Sequence, residues 1–229
     1  MDITWLGHSC FRIRGRDVTI VSDPFPPNLG YPLGRLSADI VTVSHGHPNH
    51  SYLVAVEGRP HIVDGPGEYE YEYGVTGVFI TGIATHHDAE RGKSRGKNTV
   101  YLIHMEELTL CHLGDLGHLP STSQIQEMTP VDVLFIPVGG MGTLDVPAAA
   151  ETISLLDPKL VIPMHYRTEE YDGGLAPVER FLKEMGLSDV PQEVHIALSP
   201  ATLPRQTQVT LLDYKGTKAR TERKNRVAT

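Results

Sequence analysis

The sequence predicts an α/β protein. Three observations carry that prediction: short runs rich in β-branched residues recur along the whole chain, helix-like stretches fall only between the later runs, and polar residues stand directly after the ends of several runs. The first pattern fits strands, the second a strand–helix alternation, and the third a site assembled on one edge of a sheet.

Strands are expected at Ile3–Leu6, Val18–Val21, Ile40–Val43, Val78–Ile83, Thr99–Ile103, Leu108–Leu113, Val131–Val138, Leu160–Met164, Val194–Leu198 and Val209–Leu212. The spacing of apolar residues predicts helices over Thr122–Met128, Pro147–Leu156 and Ala176–Met185, with Asp145 placed to cap the second, Pro177 in the first turn of the third and Gly186 closing it. No fixed-period repeat or linker interrupts the pattern, so residues 1–214 are read as one domain. Residues 215–229 follow as a basic, solvated tail in which Lys215, Lys218, Arg220, Arg223, Lys224 and Arg226 face a lone Glu222.

The formal net charge of −8 argues against non-specific nucleic-acid binding, which needs clustered Lys and Arg. The two cysteines, Cys10 and Cys111, each sit in a strand-like run and imply core thiols in a reducing compartment. The first residues lack the basic and apolar regions of a leader, and no apolar run is long enough to cross a bilayer. The expectation is a soluble, cytoplasmic protein without membrane insertion, for which a homo-oligomer is an open option.

Twelve histidines are present, and their placement points to chemistry. Asp23 follows Val21-Ser22, His45 follows Val43-Ser44, the His86-His87-Asp88 cluster follows Ile83-Ala84-Thr85, Asp115 follows Leu113-Gly114, and His165 follows Pro163-Met164. If those strands run the same way, their C-terminal ends converge. In Ser44-His45-Gly46-His47-Pro48-Asn49-His50 the residues two apart, His45 and His47, point the same way in an extended segment and can grip one metal ion. After the turn that Pro48 invites, Asn49 and His50 can serve a second, and a carboxylate such as Asp115 can bridge the pair with its two oxygens.

His45-Gly46-His47-Pro48-Asn49-His50 resembles the HxHxDH signature of the metallo-β-lactamase superfamily. Thr4-Trp5-Leu6-Gly7-His8-Ser9-Cys10, Ser22-Asp23-Pro24-Phe25, Gly65-Pro66-Gly67-Glu68-Tyr69, His87-Asp88, Leu113-Gly114-Asp115-Leu116-Gly117-His118 and Ile162-Pro163-Met164-His165-Tyr166 are similar to the branch that includes the ascorbate-phosphate lactonases. The resemblance implies a four-layer αβ/βα sandwich and two divalent ions, Zn²⁺ or Mn²⁺, with Fe²⁺ also compatible. It assigns His45, His47 and His87 to the first ion, Asp115 to the bridge, and His50 and His165 to the second, with His86 the alternative to His87. Asp23 would support the His loop without touching metal. Asn49 departs from the family, which usually has an Asp there; a neutral amide is a weaker ligand and leaves the second position short of a charge.

His8 and His118 lie inside family motifs and are candidates for lining a substrate pocket. His112 is expected to be a core or supporting histidine, and His61, His104 and His195 structural. Arg91, Lys93, Arg95 and Lys97 follow His87 among glycines, which makes them candidates for holding an anionic substrate; Arg91 and Arg95 are foremost. Gly139-Gly140-Met141-Gly142 lacks phosphate-loop spacing and is read as a tight loop near the site. No GxSxG elbow is present, so the expected nucleophile is a metal-activated water, with Asp115 and the residue at position 49 orienting it. The favoured reading is hydrolysis of a small anionic ester or lactone; a phosphodiesterase and a non-catalytic metal-binding scaffold are the alternatives.

Overall fold

The structure, a computed structural model, describes residues 1–216. Most of the basic tail expected from residue 215 therefore lies outside the described residues. In the first half the chain forms β1 (Asp2–Gly7), β2 (Cys10–Arg14), β3 (Thr19–Ser22), β4 (Leu36–Ser37), β5 (Ile40–Thr42), β6 (Val56–Glu57), β7 (His61–Val63), β8 (Gly67–Tyr73), β9 (Thr76–His86), β10 (Lys97–Met105) and β11 (Leu108–His112). There follow α1 (Thr122–Met128), β12 (Val133–Pro137), α2 (Val146–Leu156), β13 (Leu160–Met164), α3 (Val178–Glu184), β14 (Gln192–Glu193), β15 (Ile196–Ala197), β16 (Gln208–Val209) and β17 (Leu211–Leu212).

One sheet has the order β15-β1-β2-β3-β5-β7 and the other β16-β13-β12-β11-β10-β9-β8. They pack over a common apolar core. Phe11 of β2 meets Phe135 of β12 with ring centroids 4.4 Å apart, and the Tyr101 hydroxyl of β10 reaches across to donate to the carbonyls of Val43 at 2.8 Å and Val63 at 3.1 Å. Cys10 and Cys111 are both buried and free. Among the described residues no helix is long and apolar enough to cross a membrane.

Strand direction positions the site. In the first sheet β3, β5 and β7 are mutually parallel, and β1, antiparallel to β2 as β3 is, runs the same way. In the second, β11, β12, β13 and β16 are parallel. β9 joins that direction because β10 is antiparallel to both β9 and β11. Every chemistry-bearing residue that follows one of these strands is thus delivered to a C-terminal edge.

The helices start where local chemistry dictates. Ser121 and Gln124 form a reciprocal capping box on α1, and the Asp145 carboxylate accepts from the Ala148 amide at 3.0 Å at the start of α2. The third helix is shorter than expected. Ala176 donates to the Gly139 carbonyl and accepts from the Arg167 amide, which holds it in extended backbone, so Pro177 becomes the cap residue and the helix begins at Val178. Other boundaries also moved. The run Val194–Leu198 narrows to β15, and Val209–Leu212 splits between β16, paired with β13, and β17, paired with β14. β2, β4, β6, β7, β8 and β14 answer to no expected strand.

Candidate metal centre

Asp115 is the hub. It is 3 % exposed, and four imidazoles aim Nε2 at its Oδ2: His87 at 3.1 Å, His50 at 3.3 Å, His165 at 3.4 Å and His45 at 3.9 Å. These residues follow β11, β9, the loop after β5, and β13, so the C-terminal edges of both sheets meet here. Tight backbone makes the approach possible. A Cβ at Gly114, which has φ +56, would fall 2.5 Å from both Asn98 Oδ1 and Ser44 Cβ. A Cβ at Gly139 would overlap the His165 carbonyl. His8, Asp23 and His165 adopt φ of 53°, 41° and 51°, a left-handed backbone that non-glycine residues enter at a cost and that clusters at functional sites.

A shell of hydrogen bonds orients the donors. The fully buried Asp23 carboxylate accepts from the Ser44 amide at 2.7 Å, the Ser44 hydroxyl at 2.6 Å and His50 Nδ1 at 2.9 Å, which turns His50 Nε2 toward Asp115. Asp23 thus lies behind the His50 imidazole, on the side away from Asp115. Ser44 Oγ also lies 3.0 Å from His45 Nδ1. His87 Nδ1 donates to the Gly142 carbonyl at 3.2 Å, which places the Gly139–Gly142 loop at the site. Asn98, 1 % exposed, accepts from the Asp115 amide at 2.9 Å and donates to Thr85 Oγ1 and the Leu113 carbonyl. His112 bonds the Ser9 carbonyl and the Gly114 amide, supporting the turn into Asp115 from below.

The electrostatics favour neutral imidazoles around a charged carboxylate. Burial opposes the charge on Asp115, but His165 and His50 outweigh it and hold its carboxyl well below the usual range. Burial pushes His45 down to about 4 and lowers His165 and His8 as well. His50 is the exception: burial opposes its charge, but Asp115 and Asp23 on either side raise its pKa. Neutral imidazole nitrogens carry the lone pairs that ligate metals.

The residues fit a metal. His45 Nε2, Asp115 Oδ1, His165 Nδ1 and His8 Nδ1 are buried without a hydrogen-bond partner, a costly arrangement for a site meant to stay without an ion. Donor atoms within 4.8 Å of one another form the sets His45/His87/Asp115, His45/His47/His50 and His8/His50/His165. Of the two adjacent histidines, His87 faces Asp115, whereas the His86 ring lies 5.6 Å from that of His118. Asn49 is half-buried; its amide donates to His47 Nδ1 at 3.2 Å, and its side chain makes no hydrogen bond among the described residues.

Not every expected pocket residue arrives. His118 has both ring nitrogens engaged locally, by the His86 amide at 3.3 Å and the Leu119 carbonyl at 2.8 Å, and it does not line the cleft beside His45, His47 and His87. The basic cluster divides. Arg95 and Lys97 line a cleft with His45, His47, His86 and His87, while the exposed Arg91 and Lys93 lie outside its lining. The Asp88 carboxylate shapes that loop by accepting from the amides of Glu90, Gly92, Ser94 and Arg95 at 2.8–3.0 Å, and those bonds pull its pKa down to about 2 against the opposing effect of burial. Ser44, Asn98 and Tyr171, whose ring meets His8 edge-on at 5.4 Å, were not singled out from the sequence. Ser44 stood within the quoted motif; the other two carried no signal.

The profile of the Beta-lactamase superfamily domain matches residues 2–165. A UPF0173 metal-dependent hydrolase of Thermoplasma acidophilum is 31% identical over 207 residues, spanning 79% of this chain and 89% of that protein. Among solved structures, a chain from Thermotoga maritima assigned to the Zn-dependent hydrolases of the metallo-β-lactamase superfamily superposes with a TM-score of 0.75 at 35% identity, covering 93% of this chain and 98% of its own. A metallo hydrolase of Ignicoccus hospitalis shares the fold, with a TM-score of 0.61 at 23% identity over 86% of this chain and 99% of its own. Two sheets that deliver histidines and a shared aspartate to one edge, and relatives that match along most of both chains, place this protein in the metallo-β-lactamase superfamily, among its metal-dependent hydrolases.

Proposed function

We propose that the protein hydrolyses a small anionic ester or lactone at a two-metal centre bridged by Asp115. The observation that carries this reading is a cleft of about 760 Å³ whose lining includes His45, His47 and His87 together with Arg95 and Lys97. That volume suits a small molecule. The Arg95 guanidinium lies against Gly142, whose carbonyl receives the Nδ1–H of His87, so the cation sits beside a candidate ligand in an otherwise acidic protein.

Divalent ions held by His45, His47, His87, Asp115, His50 and His165 would supply Lewis acidity and an activated water. The chain's own residues do the rest. Arg95 and Lys97 bind the anionic group and set its distance from the centre. Asp115, held by Asn98 and charged in its nest of imidazoles, keeps the donors aligned. Asp23 keeps the His50 proton on Nδ1.

A panel of lactones, carboxylate esters and bis-p-nitrophenyl phosphate, assayed with Mn²⁺ and with Zn²⁺, tests the proposal. Turnover of an anionic lactone or ester that falls as salt rises, with a neutral analogue unaffected, is the expected outcome. The double variant Arg95→Glu/Lys97→Glu is expected to raise KM more than it lowers kcat, as for groups that bind ground and transition states alike. Preferential turnover of the diester would instead indicate a phosphodiesterase, and no turnover of any substrate would support a non-catalytic metal-binding role.

A further inference from the structure

We propose that His8, and not Asn49, completes the second metal position, so that this ion takes three imidazoles, from His8, His50 and His165, beside the Asp115 carboxylate. The inference rests on the two-metal reading above and names a ligand that the HxHxDH pattern does not contain.

His8 follows β1, whose direction matches β3, so it is delivered to the same edge as Asp23. Its backbone is fixed in the left-handed region at φ 53°, with its carbonyl accepting from Trp5 Nε1 at 3.0 Å and from the His165 amide at 3.1 Å. Gly7 before it, at φ 112°, lies flush against the Tyr31 ring, where any Cβ would overlap. The side chain is 3 % exposed, and its ring centroid is 4.3 Å from that of His165 and 4.8 Å from that of His50. One ligating atom from each of these three residues lies within 4.8 Å of the other two.

What separates His8 from a structural histidine is its unspent hydrogen-bonding capacity. His112 and His118 each engage both ring nitrogens. Among the described residues His8 Nδ1 is buried without a hydrogen-bond partner. An unsatisfied buried polar atom costs about 1–3 kcal/mol, and a divalent ion held beside His50 and His165 would remove that cost at His8. Asn49 shows no such commitment: its one bond is made by the main chain. Three imidazoles form a known complete donor set for a divalent ion, so a position that lacks the usual carboxylate at residue 49 can be restored from β1.

Titrating metal-free protein with Co²⁺, followed by ligand-field absorption and calorimetry, tests this directly. The wild type is expected to show two binding steps. His8→Asn is the informative variant, because Asn tolerates the left-handed backbone while withdrawing the imidazole. It is expected to keep the first step and weaken the second by about 100-fold or more, at least the loss caused by removing an outer partner of a ligand. Its ligand-field bands should shift at the second equivalent only, whereas Asn49→Ala should leave both steps in place. Imidazole ¹⁵N chemical shifts of His8 during Zn²⁺ titration of the wild type give the answer without any substitution, should His8→Asn fail to fold. Two unchanged steps in His8→Asn, ring shifts that ignore zinc, or a second step lost in Asn49→Ala would overturn the assignment. Failure of the wild type to bind more than one ion would overturn the two-metal reading itself, and His8 with it.

Discussion

At the scale of single residues, the account depends on side chains that touch no substrate. Asn98 of β10, buried, makes two hydrogen bonds to the turn carrying Asp115 and one to Thr85 of β9. Asn98→Ala leaves the Asp115 amide unpaired, while the Leu113 carbonyl keeps the Leu116 amide as a donor, and the unpaired amide costs about 1–3 kcal/mol. The variant is expected to lose roughly 2 kcal/mol of stability in urea denaturation and about 10–100-fold in metal affinity; unchanged affinity would show that Asp115 is positioned by other contacts. His45, His87, Asp115 and His165 stood out in the sequence because each follows the end of a β-run, and His47 and His50 because of their spacing after His45. Asn98 was not, since a lone amide within a strand pattern looks like surface. His8 was half-legible: it sits in a motif and at a strand end, but its burial against His50 and His165 arises from two strands distant in sequence.

Elements follow a similar division. The caps were readable because they are local: Asp145 precedes α2 and bonds the Ala148 amide as its position suggests. Asp145→Ala is expected to destabilise by about 1 kcal/mol and to lower Tm by about 2–4 °C for a chain of this size. Metal content and kcat/KM should stay at wild-type values, which differential scanning and the same assays would check; a loss of activity would mean that α2 also shapes the loop at Gly139–Gly142. β8 was unreadable for a physical reason. Gly67–Tyr73 contains no β-branched residue, and its strand character lies in alternation alone, with Tyr69, Tyr71 and Tyr73 half-buried and Glu68, Glu70 and Glu72 exposed. That edge strand carries glutamates on its outer face, which discourages pairing with another chain. β16 and β17 were merged because a continuous apolar pattern does not reveal a change of sheet partner.

At the scale of the molecule, the decisive feature is that two sheets with different strand orders present the same kind of end at one place. β1, β3 and β5 supply His8, Asp23 and the His45–His50 loop; β9, β11 and β13 supply His87, Asp115 and His165. The Asp115 carboxylate stands within 4 Å of imidazoles from both halves. The central claim is that its carboxylate joins two metal positions. Elemental analysis of purified wild type and Asp115→Ala, with circular dichroism confirming the fold of each, tests that claim most directly. Two divalent ions per chain in the wild type and one or none in the variant is the result predicted, since the imidazoles on both sides lose the carboxylate they face; full metal content in Asp115→Ala would contradict it.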